Sequence, residues 1–400
     1  MFLFNIIQII LLTLLGLATL YIFIFSIASL FYKQKIYADN GNMKTIAVLV
    51  PGYKEDQVII EVAKLALEQD YSSTLYDVVI IADSFKEETL AALKALPIKL
   101  IEVSFDKSTK SKALNKAMAA LTRAYDIAVV LDADNVMAPD FLKKINAAFE
   151  HDFIAVQGHR TAKNTNNSWA ILDAISEEIN NNIFRKGHRV LGLSSAIIGS
   201  GMAFRYNYFK SLMSTVTAIG GFDKEIELKM LKEGRKIVYL DDALVFDEKI
   251  QKAEVFGNQR RRWLSAQFHY FRKDFLSALK DLVLKGNVDY FDKAIQFIQP
   301  PRILLLGAVL LFSFVFVLAN YFLENQNLYV IYWVVLLVTC ILSFVFSVPR
   351  SFYNSKTLGA LTSLPKGMFT MLLSLLKIKG ANKTFIHTQH TSNSDEISSK

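Results

Sequence analysis

The sequence has few of the residues that most disulfide and metal sites require. Among 400 residues there is one cysteine, Cys340, and it lies in an apolar run. A single cysteine excludes a disulfide within these residues and a metal site built on cysteines. There are six histidines and no HExxH pattern, which argues against a zinc hydrolase. Only 20% of the residues are charged and 52% are hydrophobic, so a disordered or collagen-like protein is also excluded.

Charge is absent from the first 32 residues, and residues 6–30 are almost continuously Leu, Ile, Phe and Ala. About 20 apolar residues span the hydrocarbon core of a bilayer, so this stretch is long enough for a transmembrane helix. A cleaved signal peptide would begin with basic residues and have a shorter apolar stretch that ends in small residues. This N-terminus has neither feature, and we therefore expect residues 1–32 to form an uncleaved anchor.

Two further uncharged stretches, within residues 303–349, predict two more transmembrane helices. Basic residues flank all three spans on the same side, while the connector at 324–327 has none; the flanking residues are Lys33, Lys35, Arg302, Arg350 and Lys356. The positive-inside rule therefore predicts that residues 33–302 are cytoplasmic and that the N-terminus and the connector lie outside.

The remaining segments near the membrane are predicted from their composition and position. We expect interfacial helices over 271–302. Residues 357–376 are apolar but are interrupted by Pro365-Lys366-Gly367, which favours an interfacial or re-entrant segment over a full span. The basic and polar residues of 377–400 predict a cytoplasmic tail.

Residues 43–270 have a different pattern, typical of an α/β domain. Short apolar runs rich in β-branched residues occur at 46–50, 78–82, 100–103, 127–131 and 153–156. Helix-like stretches separate the first few runs, at 58–69, 87–96 and 110–124. This alternation predicts a mostly parallel, doubly wound sheet that is covered on both faces. Ligands bind such sheets beyond the carboxyl ends of the strands, where this chain has Glu55, Asp83, Asp132 and Asp134.

The pair Asp132 and Asp134 is the sharpest local feature. On an extended segment, residues i and i+2 point the same way, and two carboxylates so placed suit Mg²⁺ or Mn²⁺. A turn and helix cap before Pro139 is the alternative, and the residues alone leave both open. The chain has neither GxGxxG after the first strand nor GxxxxGK[ST] anywhere, which argues against a dinucleotide-binding fold or a P-loop.

Two later motifs could serve chemistry or structure. On a helix, Gln259, Arg262 and Trp263 share one face and would offer an amide, a guanidinium for an oxyanion and a flat ring for a sugar. A basic stretch at the membrane interface would have the same composition. The carboxylates of Asp223 and Glu225 lie in the first turn of a predicted helix, where the dipole favours them whether or not one acts as a base.

Taken in order, these residues resemble the processive family-2 glycosyltransferases, the cellulose, chitin and hyaluronan synthase-like membrane enzymes. The similarity covers about residues 44–270 and extends through the membrane hairpin to the tail. Its most specific part is DxD at 132–134 together with QxxRW at 259–263. The stretches KSKALN (110–115) and GSGMAFR (199–205) resemble the family's KxxALN and GxGxxxR.

The resemblance implies a GT-A-like α/β fold, a nucleotide-sugar donor, usually a UDP-sugar, and inversion at the anomeric carbon. It implies that Tyr53, Glu55 and Asp83 line the nucleotide pocket. It also implies that Asp132 lies beside the nucleotide and its phosphates and that Asp134 binds the Mg²⁺ or Mn²⁺. Lys110 and Arg262 would then bind the diphosphate, and Gln259 and Trp263 would lie at the diphosphate and acceptor side.

The resemblance also implies a catalytic base. The family has an E-D dipeptide at this point, and counting back from Gly234 puts Asp223 at the position of that Asp. This chain has Phe222 where the family usually has Glu, so Glu225 is the second candidate for the base.

Three hypotheses for function follow. The first is a membrane polysaccharide synthase, processive and exporting its product; the second is transfer of one sugar to a lipid carrier such as polyprenyl phosphate; the third is a non-enzymatic membrane scaffold. The expected partners are a nucleotide-sugar, a saccharide or lipid-linked acceptor and membrane lipid. The net charge of +8 is partly explained by membrane-flanking residues, and without a nucleic-acid motif we expect no nucleic-acid partner. We expect an integral protein of a bacterial inner (plasma) membrane with a cytoplasmic catalytic domain.

Overall fold

The computed structural model describes residues 2–38, 40–218, 220–323 and 328–377. The predicted outer connector at 324–327 and nearly all of the predicted tail at 377–400 lie outside the described residues. Eight strands form one sheet: β1 Ile46–Tyr53, β2 Tyr76–Asp83, β3 Lys99–Val103, β4 Ile127–Val130, β5 Val136–Met137, β6 Ala155–Ala162, β7 Met202–Arg205 and β8 Ile237–Asp247.

The strand order is β3-β2-β1-β4-β7-β6-β8-β5. The first four strands of this order are parallel, which confirms the α/β prediction for that half of the sheet. In the other half, β7 runs antiparallel to β4 and β6, β6 and β8 are parallel, and β5 is an antiparallel edge strand. The sheet as a whole is therefore mixed.

Strands β1, β2 and β4, which the sequence predicted, are buried on both faces, whereas β3 at the edge of the sheet is partly exposed. In β1, Val48 and Val50 belong to the hydrophobic core on one side of the sheet, while Ala47 and Leu49 belong to the core on the other side. Successive side chains of a strand point to opposite faces, so an uninterrupted apolar run is the expected sequence of a covered strand. The carboxyl ends of the strands are consequently the accessible edge of this half of the sheet.

The helices are α1 Phe2–Leu30, α2 Ile59–Ala66, α3 Glu87–Lys94, α4 Lys110–Ala120, α5 Phe141–Phe149, α6 Ser168–Asn180, α7 His188–Val190, α8 Tyr206–Ser214, α9 Phe222–Lys232, α10 Ala253–Lys285, α11 Val288–Ile298, α12 Arg302–Phe322, α13 Leu328–Ser347, α14 Ser355–Leu361 and α15 Leu364–Leu376. A π-helical segment, Asn181–Gly187, joins α6 to α7. The predicted helices at 58–69, 87–96 and 110–124 correspond to α2, α3 and α4, each of which is shorter than its pattern suggested.

Three helices are long and apolar enough to cross a membrane: α1, α12 and residues Tyr329–Ser347 of α13. They coincide with the three predicted spans. Helices α14 and α15 meet at a bend of 48°, which is the geometry of a broken span or a re-entrant loop. The prediction that 357–376 is interfacial or re-entrant stays a prediction.

Polar side chains join the three candidate spans. The Gln8 side-chain oxygen on α1 accepts hydrogen bonds from Asn320 Nδ2 on α12 at 2.8 Å and from Trp333 Nε1 on α13 at 3.2 Å. Nearer the C-terminal ends of α1 and α13, the hydroxyls of Ser26 and Ser347 are 2.7 Å apart. Interhelical hydrogen bonds of this kind stabilise helix association where water is absent. The spans therefore form one packed bundle.

The C-terminal half of α10 has an outward face of basic and apolar side chains. Its two acidic residues point inward: Asp274 accepts a hydrogen bond from Tyr290 at 2.6 Å, and Asp281 pairs with Lys285 at 3.0 Å. The exposed residues on the outward face are Phe268, Arg272, Lys273, Leu276, Leu279, Lys280, Val283 and Leu284. A helix face with this composition suits the surface of an anionic membrane, which supports the prediction of interfacial helices over 271–302.

We expect this face to lie in the lipid headgroup region. Cysteine introduced at Leu276 or Val283, both 74% exposed, and labelled with a fluorophore should be strongly quenched by spin-labelled lipids in vesicles with anionic lipid. The native Cys340 is fully buried, so labelling is directed to the new cysteine. Ser73→Cys, in the exposed turn before β2, is the matched control. Quenching at positions 276 and 283 no stronger than at 73 would contradict the prediction.

Candidate active site

The ends of β1 and β2 bring the first predicted site residues together. Tyr53 is opposite Asp83 in the parallel register, and the backbone N–H of Lys54 donates to the Asp83 carbonyl at 3.1 Å. Lys54 and Ser84, which follow the two strand ends, have positive φ angles of 56° and 61°. This conformation is uncommon outside glycine and turns both chains sharply at the edge of the sheet. Glu55 follows immediately and is buried.

Gly52 allows the 132–134 loop to approach this edge. A Cβ at Gly52 would lie 2.7 Å from the ring of Phe85, which follows β2, and 3.6 Å from the Cβ of Ala133. Only a residue without a side chain fits between these neighbours without displacing one of them. The Asp132-Ala133-Asp134 loop at the end of β4 therefore lies beside the Tyr53 and Asp83 pair, as the parallel topology predicts.

Asp132 is the more open carboxylate of the pair, with 37% of its side chain exposed, while Asp134 is 5% exposed. Lys110 Nζ, from the first residue of α4, donates to Asp132 Oδ1 at 2.5 Å and to the Gly199 carbonyl at 2.8 Å. The backbone N–H of Asp132 donates to Ser200 Oγ at 2.9 Å. Lys110 thus links the Asp132 loop to the 199–201 turn.

Asp223 lies on the other side of that turn. Gly199 has φ +82°, and a Cβ built on it would lie 3.5 Å from the Phe222 ring and 3.7 Å from Asp223 Cβ. The Lys110 ammonium is also 5.3 Å from the centroid of the Phe222 ring. Asp223 is in the first turn of α9, and its Oδ2 is 3.7 Å from Lys224 Nζ. Both carboxylates therefore adjoin the Lys110–Gly199 contact.

Arg262 of α10 completes the group. Burial lowers the pKa of its guanidinium, and the charges of Asp132 and Asp223 oppose that shift. The sequence places these two carboxylates about 90 residues apart, and the fold brings both within electrostatic range of one arginine. Asp132, Asp223 and Arg262, with Lys110, form what we call the charged rim.

The other members of the QxxRW motif lie along the same stretch of α10. Gln259 Oε1 is buried and has no hydrogen-bond partner among the described residues. The Trp263 ring is half-buried and has the guanidinium of Arg260 4.5 Å from its centroid; Arg260 in turn pairs with Asp173 of α6 at 2.6 Å. One face of the indole is thus occupied by a cation of the protein itself.

Glu225, the second candidate for the base, is held by structural contacts. It is 4% exposed, pairs with Lys229 at 2.8 Å and accepts the backbone N–H of Thr217 at 3.3 Å. Both carboxylates lie near Tyr270 of α10, because burial together with the charges of Glu225 and Asp223 raises the pKa of the Tyr270 hydroxyl. The geometry therefore favours Asp223, which adjoins the charged rim, over Glu225.

A buried charge cluster behind Asp132 was missed by sequence reasoning. Arg160 of β6 lies 2.7 Å from Glu177, 3.7 Å from Asp247 and 3.9 Å from Asp132, and Lys249 lies 2.7 Å from Asp247. Burial alone would raise the pKa of Glu177 and Asp247, but Arg160 and Lys249 hold both below their usual range. Arg160 thus supports Asp132 from the protein interior.

One sequence signal could have revealed part of this cluster. Asp247 ends β8 after an apolar stretch, in the same way that Asp83 ends β2. It also accepts a hydrogen bond from the side chain of Asn135 at 2.9 Å, and Asn135 accepts from Ser200. The cluster therefore reaches the residue that follows Asp134.

The donor set at the end of β4 can be compared with the needs of a divalent cation. Within the described part of the chain, no three His, Cys, Asp or Glu side chains are grouped as a metal site. Mg²⁺ and similar ions are commonly held by one or two carboxylates, with water and substrate phosphate supplying the other ligands. Asp134, with Asp132 two residues before it, fits a site in which water and substrate phosphate supply the remaining metal ligands. The two carboxylates do not fit a site in which the protein supplies every ligand.

The comparison with protein families gives one extended match. The model for the family described as glycosyltransferase like family 2 matches residues 44–266. That range includes β1 to β8 and the charged rim.

Curated relatives are more distant. A beta-monoglucosyldiacylglycerol synthase from Nostoc sp. is 24% identical over 264 residues, which are 64% of this chain and 54% of the relative. An N-acetylglucosaminyltransferase from Rhizobium meliloti is 24% identical over 245 residues, 56% of each chain. The chain spans about half the length of the curated relatives it matches.

Among solved structures, the mannosyltransferase PcManGT from Pyrobaculum calidifontis, in complex with GDP-Man and Mn²⁺, has a similar fold. The TM-score is 0.51 at 18% identity, and the alignment covers 85% of this chain and 97% of that one. The family match and this likeness confirm the predicted GT-A-like fold.

The buried cluster makes Arg160 a stability determinant. Arg160→Met would leave Glu177 and Asp247 short of a cation in a buried site, and breaking a buried pair costs about 3–5 kcal/mol. We expect a clear fall in the unfolding temperature measured by scanning fluorimetry in detergent. Arg123→Met, which breaks the partly exposed pair with Asp77, is the control and should cost less than about 1 kcal/mol. Equal losses in the two variants would show that the cluster contributes little.

Proposed function

We propose that this chain, which belongs to glycosyltransferase family 2, uses a nucleotide-sugar and transfers a single sugar, with inversion, to a lipid-linked acceptor in the membrane. The observation that carries this proposal is the charged rim, where two carboxylates, a lysine and an arginine from four separate segments converge at the carboxyl edge of the sheet. The rim belongs to the same chain as three apolar helices long enough to span a membrane.

The donor would occupy the rim in an extended pose. Tyr53, Glu55 and Asp83 would contact the nucleoside, because they lie at the adjoining ends of β1 and β2. Lys110 and Arg262 would bind the diphosphate, with Asp132 beside it. We propose a UDP-sugar as the donor; the GDP-Man in the structural neighbour makes a GDP-sugar the alternative to test.

Asp134 would hold Mg²⁺ or Mn²⁺, with phosphate oxygens completing the coordination. When bound, the ion supplies electrostatic stabilisation of the charge that develops on the departing diphosphate. The side chains of Lys110 and Arg262 supply the same kind of stabilisation from fixed positions, and fixed donors need no reorganisation as the charge develops.

Asp223 would act as the general base. With an acceptor that attacks through a hydroxyl, such as diacylglycerol, the hydroxyl oxygen attacks the anomeric carbon in a single displacement, its proton passes to a carboxylate oxygen of Asp223, and the nucleoside diphosphate leaves with the bonding electrons. An ionised phosphate acceptor has no such proton to lose and would not need this base. The side chain of Asp223 is 14% exposed, and the cationic groups of Lys224 and Arg262 lie within electrostatic range of its carboxylate. Gln259 and Trp263 would contact the acceptor or the diphosphate from α10.

The membrane bundle favours a lipid acceptor over an exported polymer. Its interior is filled by side chains such as Ile22, Trp333 and Cys340, and Gln8 is hydrogen-bonded across the helices to Asn320 and Trp333. A polysaccharide channel would need a polar passage through these spans. The name of the Nostoc relative supports a lipid acceptor, while that of the Rhizobium relative keeps a saccharide acceptor as the second candidate.

A non-enzymatic scaffold is disfavoured, because the family match and the intact rim both point to chemistry. We propose that the enzyme resides in a bacterial plasma membrane with its catalytic domain in the cytoplasm, which is where nucleotide-sugars are made.

Replacing the proposed base tests the mechanism. Asp223→Asn should lower kcat by about 10²–10⁴-fold, the usual contribution of general-base catalysis, with little change in donor binding. Glu225→Gln, on the same helix, should keep kcat within about tenfold while lowering thermal stability, because Glu225 is held by Lys229 and Thr217. A larger kcat loss in Glu225→Gln than in Asp223→Asn would transfer the assignment to Glu225.

Product analysis tests the acceptor. The purified chain in vesicles should be given labelled UDP-glucose, UDP-N-acetylglucosamine or GDP-mannose with Mg²⁺ or Mn²⁺, and either diacylglycerol or polyprenyl phosphate. We expect label to enter the organic phase as a product of constant size. A water-phase product that grows with time and resists alkali would contradict the lipid proposal and support the processive polymer. No transfer from any donor would overturn both.

A further inference from the structure

Helix α10 carries a stack of three side chains next to Arg262 of the charged rim. Phe256, Arg260 and Trp263 are spaced by four and three residues, which puts them on one face of the helix. The guanidinium carbon of Arg260 lies 4.8 Å from the centroid of the Phe256 ring and 4.5 Å from that of the Trp263 ring. A planar guanidinium stacks favourably on aromatic rings. The guanidinium of Arg260 therefore lies over both rings of its own helix.

Helix α6 holds this stack at two points that are one helical turn apart. Arg260 Nη2 donates to Asp173 Oδ1 at 2.6 Å, and the Trp169 ring centroid lies 5.6 Å from that of Phe256. Trp169 and Asp173 are four residues apart on α6, as their partners are on α10. Arg260 is 9% exposed and the Asp173 side chain 13% exposed, and ion pairs this far from solvent are screened little by salt. The contact with α6 therefore fixes the position of the guanidinium.

Trp263 is the member of the stack that another molecule can reach. It is half-buried, whereas Phe256 and Arg260 are buried. A tryptophan side chain on a helix can adopt more than one rotamer, so its position in the sequence does not by itself set the orientation of the ring. A cation held over one face of the indole favours one orientation. The opposite face of the ring is then left for contact with the acceptor.

We propose that Arg260 and Asp173 are positioning residues for the acceptor: Asp173 holds the Arg260 guanidinium, and the guanidinium holds the Trp263 ring so that the acceptor packs on its opposite face. This rests on the proposed function, because it assumes that Trp263 contacts the acceptor. A ring that is already held in place need not be ordered when the acceptor binds. The alternative is a purely structural tie between α6 and α10, which needs only the Arg260–Asp173 ion pair.

Arg260→Lys separates the two roles. Lysine keeps a cation that can pair with Asp173 but has no planar group to stack on the indole. We expect kcat/KM for the acceptor to fall by about 10–100-fold, the scale of loss when a reaction partner is misplaced. The donor KM and the unfolding temperature should stay at their wild-type values. The full chain in vesicles is used, with the donor and acceptor that give turnover in the product analysis.

A double-variant cycle tests whether Arg260 acts through the indole. Trp263→Ala should itself lower kcat/KM for the acceptor, and adding Arg260→Lys should then cause little further loss, because no ring is left to position. Asp173→Asn, which removes the charge that holds the guanidinium, should cause a smaller loss of the same kind as Arg260→Lys. Losses from Arg260→Lys and Trp263→Ala that multiply in full would overturn the proposal.

Fluorine NMR of the chain labelled with 5-fluorotryptophan reports on the ring without any turnover. The chain has three tryptophans, Trp169, Trp263 and Trp333, so three resonances are expected, and Trp→Phe variants assign them. In Arg260→Lys the Trp263 resonance should move toward the position of a solvent-exposed indole. The resonance of Trp333, which is fully buried, should stay in place. An unchanged Trp263 resonance would overturn the positioning role.

A matched control has the same three kinds of group at the other edge of the sheet. The Arg123 guanidinium pairs with Asp77 at 2.9 Å and lies 5.5 Å from the centroid of the Tyr125 ring. Arg123→Lys should leave the acceptor kinetics and the Trp263 resonance at their wild-type values. An equal loss of acceptor kcat/KM in Arg123→Lys and Arg260→Lys would contradict the proposal.

Failure of this proposal and failure of the proposed function give different results. If Trp263→Ala keeps the wild-type acceptor kcat/KM while Asp223→Asn is inactive, the positioning proposal has failed and the proposed function stands. If the wild-type chain transfers no sugar from any donor, the proposed function has failed, and the positioning proposal fails with it. Should Arg260→Lys not fold, Asp173→Asn provides the same two readouts, and wild-type acceptor kinetics with an unchanged Trp263 resonance would overturn the proposal.

Discussion

The repulsion between carboxylates is the constraint on which the rest of the structure depends. Asp132 and Asp223 both adjoin one turn, and Asp83 and Asp134 lie on the same edge of the sheet. Such a group is stable only when cations from other segments neutralise it. Here the cations come from three directions: Lys110 heads α4, Arg262 projects from α10, and Arg160 reaches Asp132 from the interior. The negative edge that suits a metal and the positive groups that suit a diphosphate are thus parts of one balanced arrangement.

Helix α10 connects that arrangement to the segments that are candidates for membrane contact. It is a single helix of 33 residues, with Arg262 near its start and the exposed basic and apolar face near its end. Helix α15 packs on its first turns, where Ser374 Oγ donates to the Gly257 carbonyl at 3.1 Å. The bent pair at 355–376 therefore supports the helix that supplies Arg262 and Trp263.

The sequence predicted most strongly those features that have a local pattern. Fully buried strands show as apolar runs, and strand-end acids show by their position, so β1 to β4, Asp83 and the Asp132 loop were all predicted. Strand β6 was placed at 153–156 although it extends over Ala155–Ala162, because Gln157 and Arg160 are polar residues in a buried strand. Gln157 Nε2 donates to the Ser200 carbonyl at 3.0 Å, a partner that no local pattern reveals. Strands β5, β7 and β8, with Asp247, were missed, and the role of Arg160 depends on partners far away in the chain.

The way the membrane spans pack bears on what the enzyme can do with its product. In a protein that threads a polymer, polar side chains in the spans would face a passage, whereas here Gln8, Asn320 and Trp333 bond to each other in the interior of the bundle. Lone polar groups in hydrocarbon are costly, so their mutual satisfaction holds the helices together and fills the space between them. In the proposed arrangement, the acceptor reaches the charged rim from the membrane surface on which the outward face of α10 would lie. A lipid-borne hydroxyl in that leaflet meets this requirement without any movement of the bundle.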